Sequence, residues 1–94
     1  MNEEPLTAAE LEKIEERCRR ASAGPWVSMI EARDHTSGSN FIMTGPPHAR
    51  GEDVELTGAT DDDQDFIAHA RQDVPRLLRE VARLRALLGD RSER

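Results

Sequence analysis

Cysteine, aromatic residues and long apolar stretches are all scarce in this chain of 94 residues. Its only cysteine, Cys18, excludes an internal disulfide framework and a zinc site built from several cysteines, which fits a reducing setting. No apolar run approaches the roughly 18 residues of a transmembrane helix, and the sequence opens without the basic and apolar regions of a secretory signal. We therefore expect a cytoplasmic protein that does not span a membrane.

The charge is acidic overall and unevenly distributed along the chain. The formal net charge of −6 argues against general nucleic-acid binding. Residues 51–69 contain seven acidic and no basic side chains, whereas residues 70–94 contain seven arginines and four acidic residues. The C-terminal part is thus an arginine-rich element within an acidic protein.

The first predicted element is a helix over residues 8–21. Thr7 and Glu10 have the Thr-x-x-Glu spacing of a capping box, in which each side chain binds the backbone N–H of the other residue. Apolar side chains then recur at steps of three and four residues, as one face of a helix requires; they are Leu11, Ile14, Cys18 and Ala21. Cys18 is therefore interpreted as an inert thiol on this face, since a nucleophile needs a nearby base.

Residues 26–57 favour β-structure. The segment 26–33 partly alternates, 34–39 is rich in turn-forming residues, and 40–44 predicts a returning strand. The segment 54–57 is the candidate for a third, short strand. A sheet of only two or three strands needs a helix against its apolar face.

The C-terminal part predicts two helices with a break between them. Four aspartates over 61–65 suit the first turn of a helix over 61–72, because acidic groups are favourable at the positive end of the helix dipole. The inward-facing residues of this helix are predicted to be Phe66, Ile67 and Ala70. Pro75 disfavours helical angles at the preceding residue, so we predict a break near 72–74 and a second helix over 74–88.

The expected fold is α+β. It consists of an N-terminal helix, a small antiparallel sheet of two to three strands and a broken C-terminal helix, in one domain over residues 1–94 with a frayed tail at 90–94. Hydrophobic residues make up 36% of the chain, and a single core of this size buries only about 60–65% of the unfolded surface. A partner subunit would therefore add to its stability.

The last predicted helix has an apolar seam with coiled-coil spacing. Its members recur at steps of three and four residues; they are Val74, Leu77, Val81, Leu84 and Leu88, broadened by Leu78 and Leu87. This is more apolar surface than a small sheet covers, so we expect a homo-oligomer, a dimer or higher, that assembles through Leu77, Val81, Leu84 and Leu88. The competing interpretation is that the sheet and the first helix together cover the whole seam.

The acidic run at 61–65 also invites a metal-binding interpretation. Its alternate aspartates match the start of an EF-hand loop, but Phe66 replaces the required glycine and Gln72 stands in place of the bidentate glutamate. Asp65 and His69 lie one helical turn apart, but two ligands do not make a zinc site. Helix capping and a surface histidine paired with Asp65 explain these residues better, so no metal and no cofactor is expected.

Two kinds of side chain are candidates for binding a nucleotide-type small molecule. Trp26 or Phe41 would stack on a base, although a core anchor is the competing interpretation of Trp26. Arg71 and Arg76 flank the predicted helix break, where guanidinium groups can bind phosphate or carboxylate. The sequence contains no Gly-rich phosphate loop, no Ser-His-Asp set and no evident pair of catalytic carboxylates, so an enzyme is not expected.

Two segments resemble a group of short proteins. Residues 21–26, Ala-Ser-Ala-Gly-Pro-Trp, are similar to an A-T-P-G-P-W element that follows a first helix, with Ser22 and Ala23 in place of Thr and Pro. Residues 65–81 look like the greater part of a D-x-x-F-I-A-x-A-R-x-D-V-P-x-L-L-x-E-V element, whose first position falls on Asp63. Together they resemble accessory proteins of actinobacteria, their phages and prophages, including the Ead-like phage proteins. The resemblance implies a phage-type accessory protein and no particular reaction.

This resemblance leads to two functional hypotheses. Small phage accessory proteins include sponges that sequester nucleotide signals of host defence, and by this analogy the chain would be an oligomeric, non-enzymatic binder of such a signal. Its ligand-binding residues would be Trp26, Phe41, Arg71 and Arg76. The alternative is an adaptor or inhibitor whose Leu-rich C-terminal helix packs on a host protein.

Overall fold

The computed structural model describes residues 4–89, and the tail predicted at 90–94 lies outside them. It contains helix α1 (Ala8–Arg20), strands β1 (Trp26–Met29) and β2 (Phe41–Thr44), and helix α2 (Asp61–Gly89). The fold is therefore α+β, as predicted. Neither helix of the described chain has the length and apolar character needed to span a membrane.

Helix α1 begins at the predicted capping box. The Thr7 hydroxyl accepts the Glu10 N–H at 3.0 Å, and the Glu10 carboxylate accepts the Thr7 N–H at 2.9 Å. These two bonds satisfy backbone donors that have no partner inside the first turn. The helix ends where Ala21 becomes extended, with its N–H still bonded to the Arg17 carbonyl.

The two strands form an antiparallel hairpin in which Trp26 pairs with Thr44 and Met29 with Phe41. Side chains alternate across a strand, so paired residues share a face. One face contains Trp26, Ser28, Ile42 and Thr44, and the other contains Val27, Met29, Phe41 and Met43. Only the first face has buried members, which makes it the core side of the hairpin.

The sheet has two strands, within the predicted two to three, and the candidate third strand at 54–57 does not form in the described chain. Residues 54–57 contribute only one bridge, in which Val54 and Ile42 exchange backbone hydrogen bonds of 2.7 and 2.9 Å. Gly58 follows with a φ of +84°, so the backbone turns away before a ladder can form.

Helix α2 is continuous, so the predicted break near 72–74 is wrong. Pro75 lies inside the helix, where a proline removes one backbone hydrogen bond and costs about 3 kcal/mol. The helix nevertheless continues through Pro75 over all of its 29 residues. The conformational restriction on the residue before proline therefore does not end the helix here.

A second capping box starts α2. The Thr60 hydroxyl accepts the Asp63 N–H at 3.0 Å, and the Asp63 carboxylate accepts the Thr60 N–H at 3.1 Å. The remaining aspartates of the first turn lie at the positive end of the helix dipole. Capping thus accounts for the acidic run, and no three metal-ligating side chains cluster anywhere in residues 4–89.

The chain divides into two compact units. Residues 22–73 form the core unit, which contains every buried residue of the described chain: Ser28, Ile30, Ile42, Thr44, Gly45, Gln64 and Ala68. The helical unit comprises the described residues up to Ala21 and those from Val74 onward, and none of them is buried. Within it the Arg85 guanidinium donates to the Leu6 carbonyl at 2.8 Å, so the start of α1 lies beside the end of α2.

Candidate functional site

The inward face of α2 within the core unit is formed by Gln64, Ala68 and Gln72, which recur every four residues. Gln64 is 2% exposed and Ala68 is fully buried, whereas Phe66 is 74% exposed. The prediction that Phe66 and Ile67 face inward is therefore wrong, since both are exposed. Two of these inward side chains are polar because the hairpin presents backbone N–H and C=O groups to this face of α2.

Gln64 binds the end of the hairpin. Its amide nitrogen lies 2.9 Å from the Ser28 hydroxyl oxygen, 3.1 Å from the Phe41 carbonyl and 3.4 Å from the Met29 carbonyl. A single buried amide therefore contacts both strands at the point where they leave the ladder. This contact fixes α2 on the core face of the sheet.

Gln72 binds the other end of β1. Its amide oxygen accepts the Trp26 N–H at 2.6 Å, and its amide nitrogen lies 3.3 Å from the Trp26 carbonyl. The eight residues from Gln64 to Gln72 rise about 12 Å along the helix, and the three from Trp26 to Met29 span about 10 Å of strand. The two glutamines thus match the two ends of β1, with α2 running antiparallel to it.

Two of the four predicted ligand-binding residues meet at the Ser22 carbonyl. The Trp26 indole N–H donates to it at 3.2 Å and the Arg71 Nε donates to it at 2.9 Å. Trp26 is half-buried, so it serves as a local anchor while part of its ring stays accessible. The indole and the guanidinium are therefore neighbours at the end of the hairpin.

Phe41, a third predicted ligand-binding residue, does not join this pair. Phe41 lies on the opposite face of the hairpin and at its other end, where its ring centroid is 5.4 Å from that of His35. Arg76 is exposed on α2 within the helical unit. The structure thus brings together Trp26 and Arg71 and separates Phe41 from them.

An ion pair joins α2 to the turn that follows β1. The Arg33 guanidinium donates to both oxygens of Asp65, at 2.9 and 3.1 Å. The pKa of Asp65 is lowered to about 2, chiefly by these bonds and secondly by a hydrogen bond from the Ser28 hydroxyl. Asp65 is therefore paired with Arg33 and not with His69, which contributes only a weaker electrostatic attraction.

A shallow apolar depression lies at the start of α2. It has a volume of about 340 Å³ and is lined by Leu56, Thr57, Gly58, Ala59, Asp63, Phe66 and Ile67. Its one charged group, Asp63, already caps the helix through Thr60. The depression therefore offers an apolar surface beside an acidic helix end.

The largest exposed apolar surface of the helical unit is on α2. Four leucines there, which we call the leucine face, remain 44–67% exposed: Leu77, Leu84, Leu87 and Leu88. The predicted interface also includes Val81, which is half-buried. Val74 and Leu78 of the same seam are half-buried as well. Within the described residues of the helical unit, helix α1 therefore does not cover the whole seam.

Comparison of this chain with protein-family models, curated proteins and solved structures finds no match in any of the three. The resemblance to phage accessory proteins therefore stays a prediction from the two motifs.

Proposed function

We propose that this protein is a non-enzymatic binding protein that self-associates through the leucine face of α2. The observation that carries the proposal is the exposure of four leucines on one short helical segment, in a unit whose described residues include no buried side chain. Exposed apolar patches of this kind on soluble proteins commonly mark interaction surfaces.

The helical unit gives a physical reason for a second copy. Two helices cannot enclose a core between them, and helix bundles usually bury their apolar side chains among three or four helices. A second copy would add its own helix pair and bury the leucine face of both. The full burial of one exposed leucine contributes about 1.5–3 kcal/mol, so contact between the leucine faces of two copies would favour association.

Sedimentation velocity at micromolar concentration tests this proposal. We expect a dimer or a higher oligomer, and we expect Leu84→Glu to dissociate it while the chain stays folded by circular dichroism. Phe66→Glu is the matched control, because Phe66 is also exposed on α2 but lies in the core unit. A monomer of 10.5 kDa at all concentrations would exclude self-association.

For the ligand, we propose a nucleotide-derived defence signal that binds beside Trp26 and Arg71. The support is their shared contact with the Ser22 carbonyl, which keeps an aromatic ring next to a guanidinium group. Thermal-shift measurements with cyclic dinucleotides, ADP-ribose derivatives and plain nucleotides test the proposal. A shift that Arg71→Gln abolishes and Arg76→Gln leaves unchanged would support it, and no shift with any of them would contradict it.

The adaptor hypothesis uses the same leucine face for a different occupant. An amphipathic segment of a host protein would then pack against Leu77 and Leu84. Capture of one defined host protein by the native chain, lost in Leu84→Glu, together with a monomeric state of the free chain, would favour this alternative.

A further inference from the structure

We infer that two copies of this chain pair in parallel and in register through α2. In this pair Leu77 contacts Leu77 of the second copy, and Leu84 contacts Leu84 of the second copy. The inference rests on the proposed self-association and names its geometry. Two features of the helix carry it: the types of apolar side chain along the seam and the charges that border it.

The apolar seam has the residue types of a parallel pair. In heptad terms Val74, Val81 and Leu88 occupy a positions, and Leu77 and Leu84 occupy d positions. β-Branched residues at a combined with leucine at d favour parallel two-stranded packing, because each side chain then fits the geometry of its layer. Both d-position leucines are exposed in the single chain, at 62% and 44%, and are available for such a contact.

The charges beside the seam favour the same orientation. Glu80 occupies a g position and Arg85 the e position five residues later. In a parallel pair, g of one helix lies beside the e position five residues further along the other, so Glu80 would meet Arg85 of the second copy twice. In an antiparallel pair, e lies beside e and g beside g, and these two charges would not meet.

The contacts inside one chain leave this pairing open. Glu80 accepts hydrogen bonds from Arg83 of the same helix. Arg83 occupies a heptad position that points away from the seam. Arg85 uses one Nη2 bond for the Leu6 carbonyl, and a guanidinium group has five N–H donors. Both residues can therefore exchange or add a partner when a second copy arrives.

Disulfide trapping distinguishes the two orientations. In a Cys18→Ser background, Leu77→Cys should form a disulfide-linked dimer with itself under mild oxidation. In an antiparallel pair that places Leu77 opposite Leu88, the two copies of residue 77 would lie about 16 Å apart along the helix axis. A disulfide bond needs Cα atoms within roughly 7 Å of each other, so residue 77 could not form a disulfide with its own copy. Cross-linking only between Leu77→Cys and Leu88→Cys chains would overturn the parallel arrangement.

Charge reversal gives a second test in the same chain. We expect Glu80→Arg and Arg85→Glu each to weaken dimerisation by about tenfold, and the double variant to restore it to within about threefold. Arg83→Glu is the control, because it removes the same intrahelical partner of Glu80 but lies off the seam. A double variant that is weaker than either single variant would overturn the inference.

Failure of the inference is separable from failure of the proposed function. A dimer by sedimentation that cross-links only in the antiparallel pattern contradicts the orientation and leaves self-association intact. An oligomer that Phe66→Glu dissociates as strongly as Leu84→Glu would show that the interface includes the core unit, and would overturn a pair confined to the leucine face. A monomer contradicts both.

Discussion

Replacement of Gln64 by leucine is expected to cost the protein about 2–3 kcal/mol of unfolding free energy. The amide of Gln64 is buried and is a donor to the Ser28 hydroxyl and the Phe41 carbonyl, at 2.9 and 3.1 Å. A buried acceptor that loses its donor costs about 1–3 kcal/mol, and the burial of a leucine of similar size offsets part of this loss.

Urea unfolding followed by the fluorescence of Trp26, the single tryptophan, measures this loss. For a chain of this size the slope is about 1 kcal/mol per molar urea, so the midpoint should fall by roughly 2 M. His69→Leu is the control, because His69 is exposed on the same helix and should change the midpoint little. A shift of Gln64→Leu no larger than that of His69→Leu would refute the reasoning.

Gln64→Glu separates the loss of hydrogen bonds from the change of shape. At neutral pH a carboxylate would face oxygen atoms of Ser28, Met29 and Phe41, so this variant should be less stable than Gln64→Leu. The pKa of the new carboxyl group would be raised in the folded state. Its stability should therefore recover as the pH falls through that raised pKa, because the protonated form can again donate. A variant without this recovery would contradict the account of the site.

Three further predictions concern the ends, the interior and the ion pair of α2. Asp65 has a pKa lowered from 3.8 to about 2, so its contribution to stability is present above pH 4 and is lost as the pH falls towards 2; Asp65→Asn should remove this part of the acid dependence in urea titrations at several pH values. Pro75→Ala should raise the unfolding free energy by about 1–3 kcal/mol without changing the helical circular dichroism signal, since the helix is already continuous; a gain in helical signal would show that the break exists after all. Thr60→Ala should cost about 1 kcal/mol by removing the cap of α2, and Thr60→Ser should retain most of the native stability.

The features that the sequence predicts correctly depend on neighbours along the chain. The capping box of Thr7 and Glu10 is such a case, because both partners lie within four residues and the bonding pattern follows from their spacing. The hairpin is another, since its two strands follow one another along the chain and turn-forming residues at 34–39 lie between them. The leucine face also follows from the sequence, because the helical period alone places its members together.

The features that the sequence does not predict depend on contacts over long distances. Gln64 and Gln72 resemble surface residues in the sequence, and only the position of the hairpin backbone turns them inward. Their four-residue spacing with Ala68 is the one signal that could have identified this face. Hydrophobicity alone predicts that Phe66 faces inward, but Phe66 is exposed because Gln64, Ala68 and Gln72 occupy the contact with the hairpin.

On each outer edge of the small sheet, one residue already bonds to a group of the same chain, and this bears on strand addition. On the β2 side Val54 bonds to Ile42, and on the β1 side the amide of Gln72 occupies the backbone groups of Trp26. An incoming strand would have to displace one of these groups before it could extend the ladder, which is how many proteins prevent edge-to-edge aggregation. Strand addition at either edge would therefore cost one of these contacts within the chain.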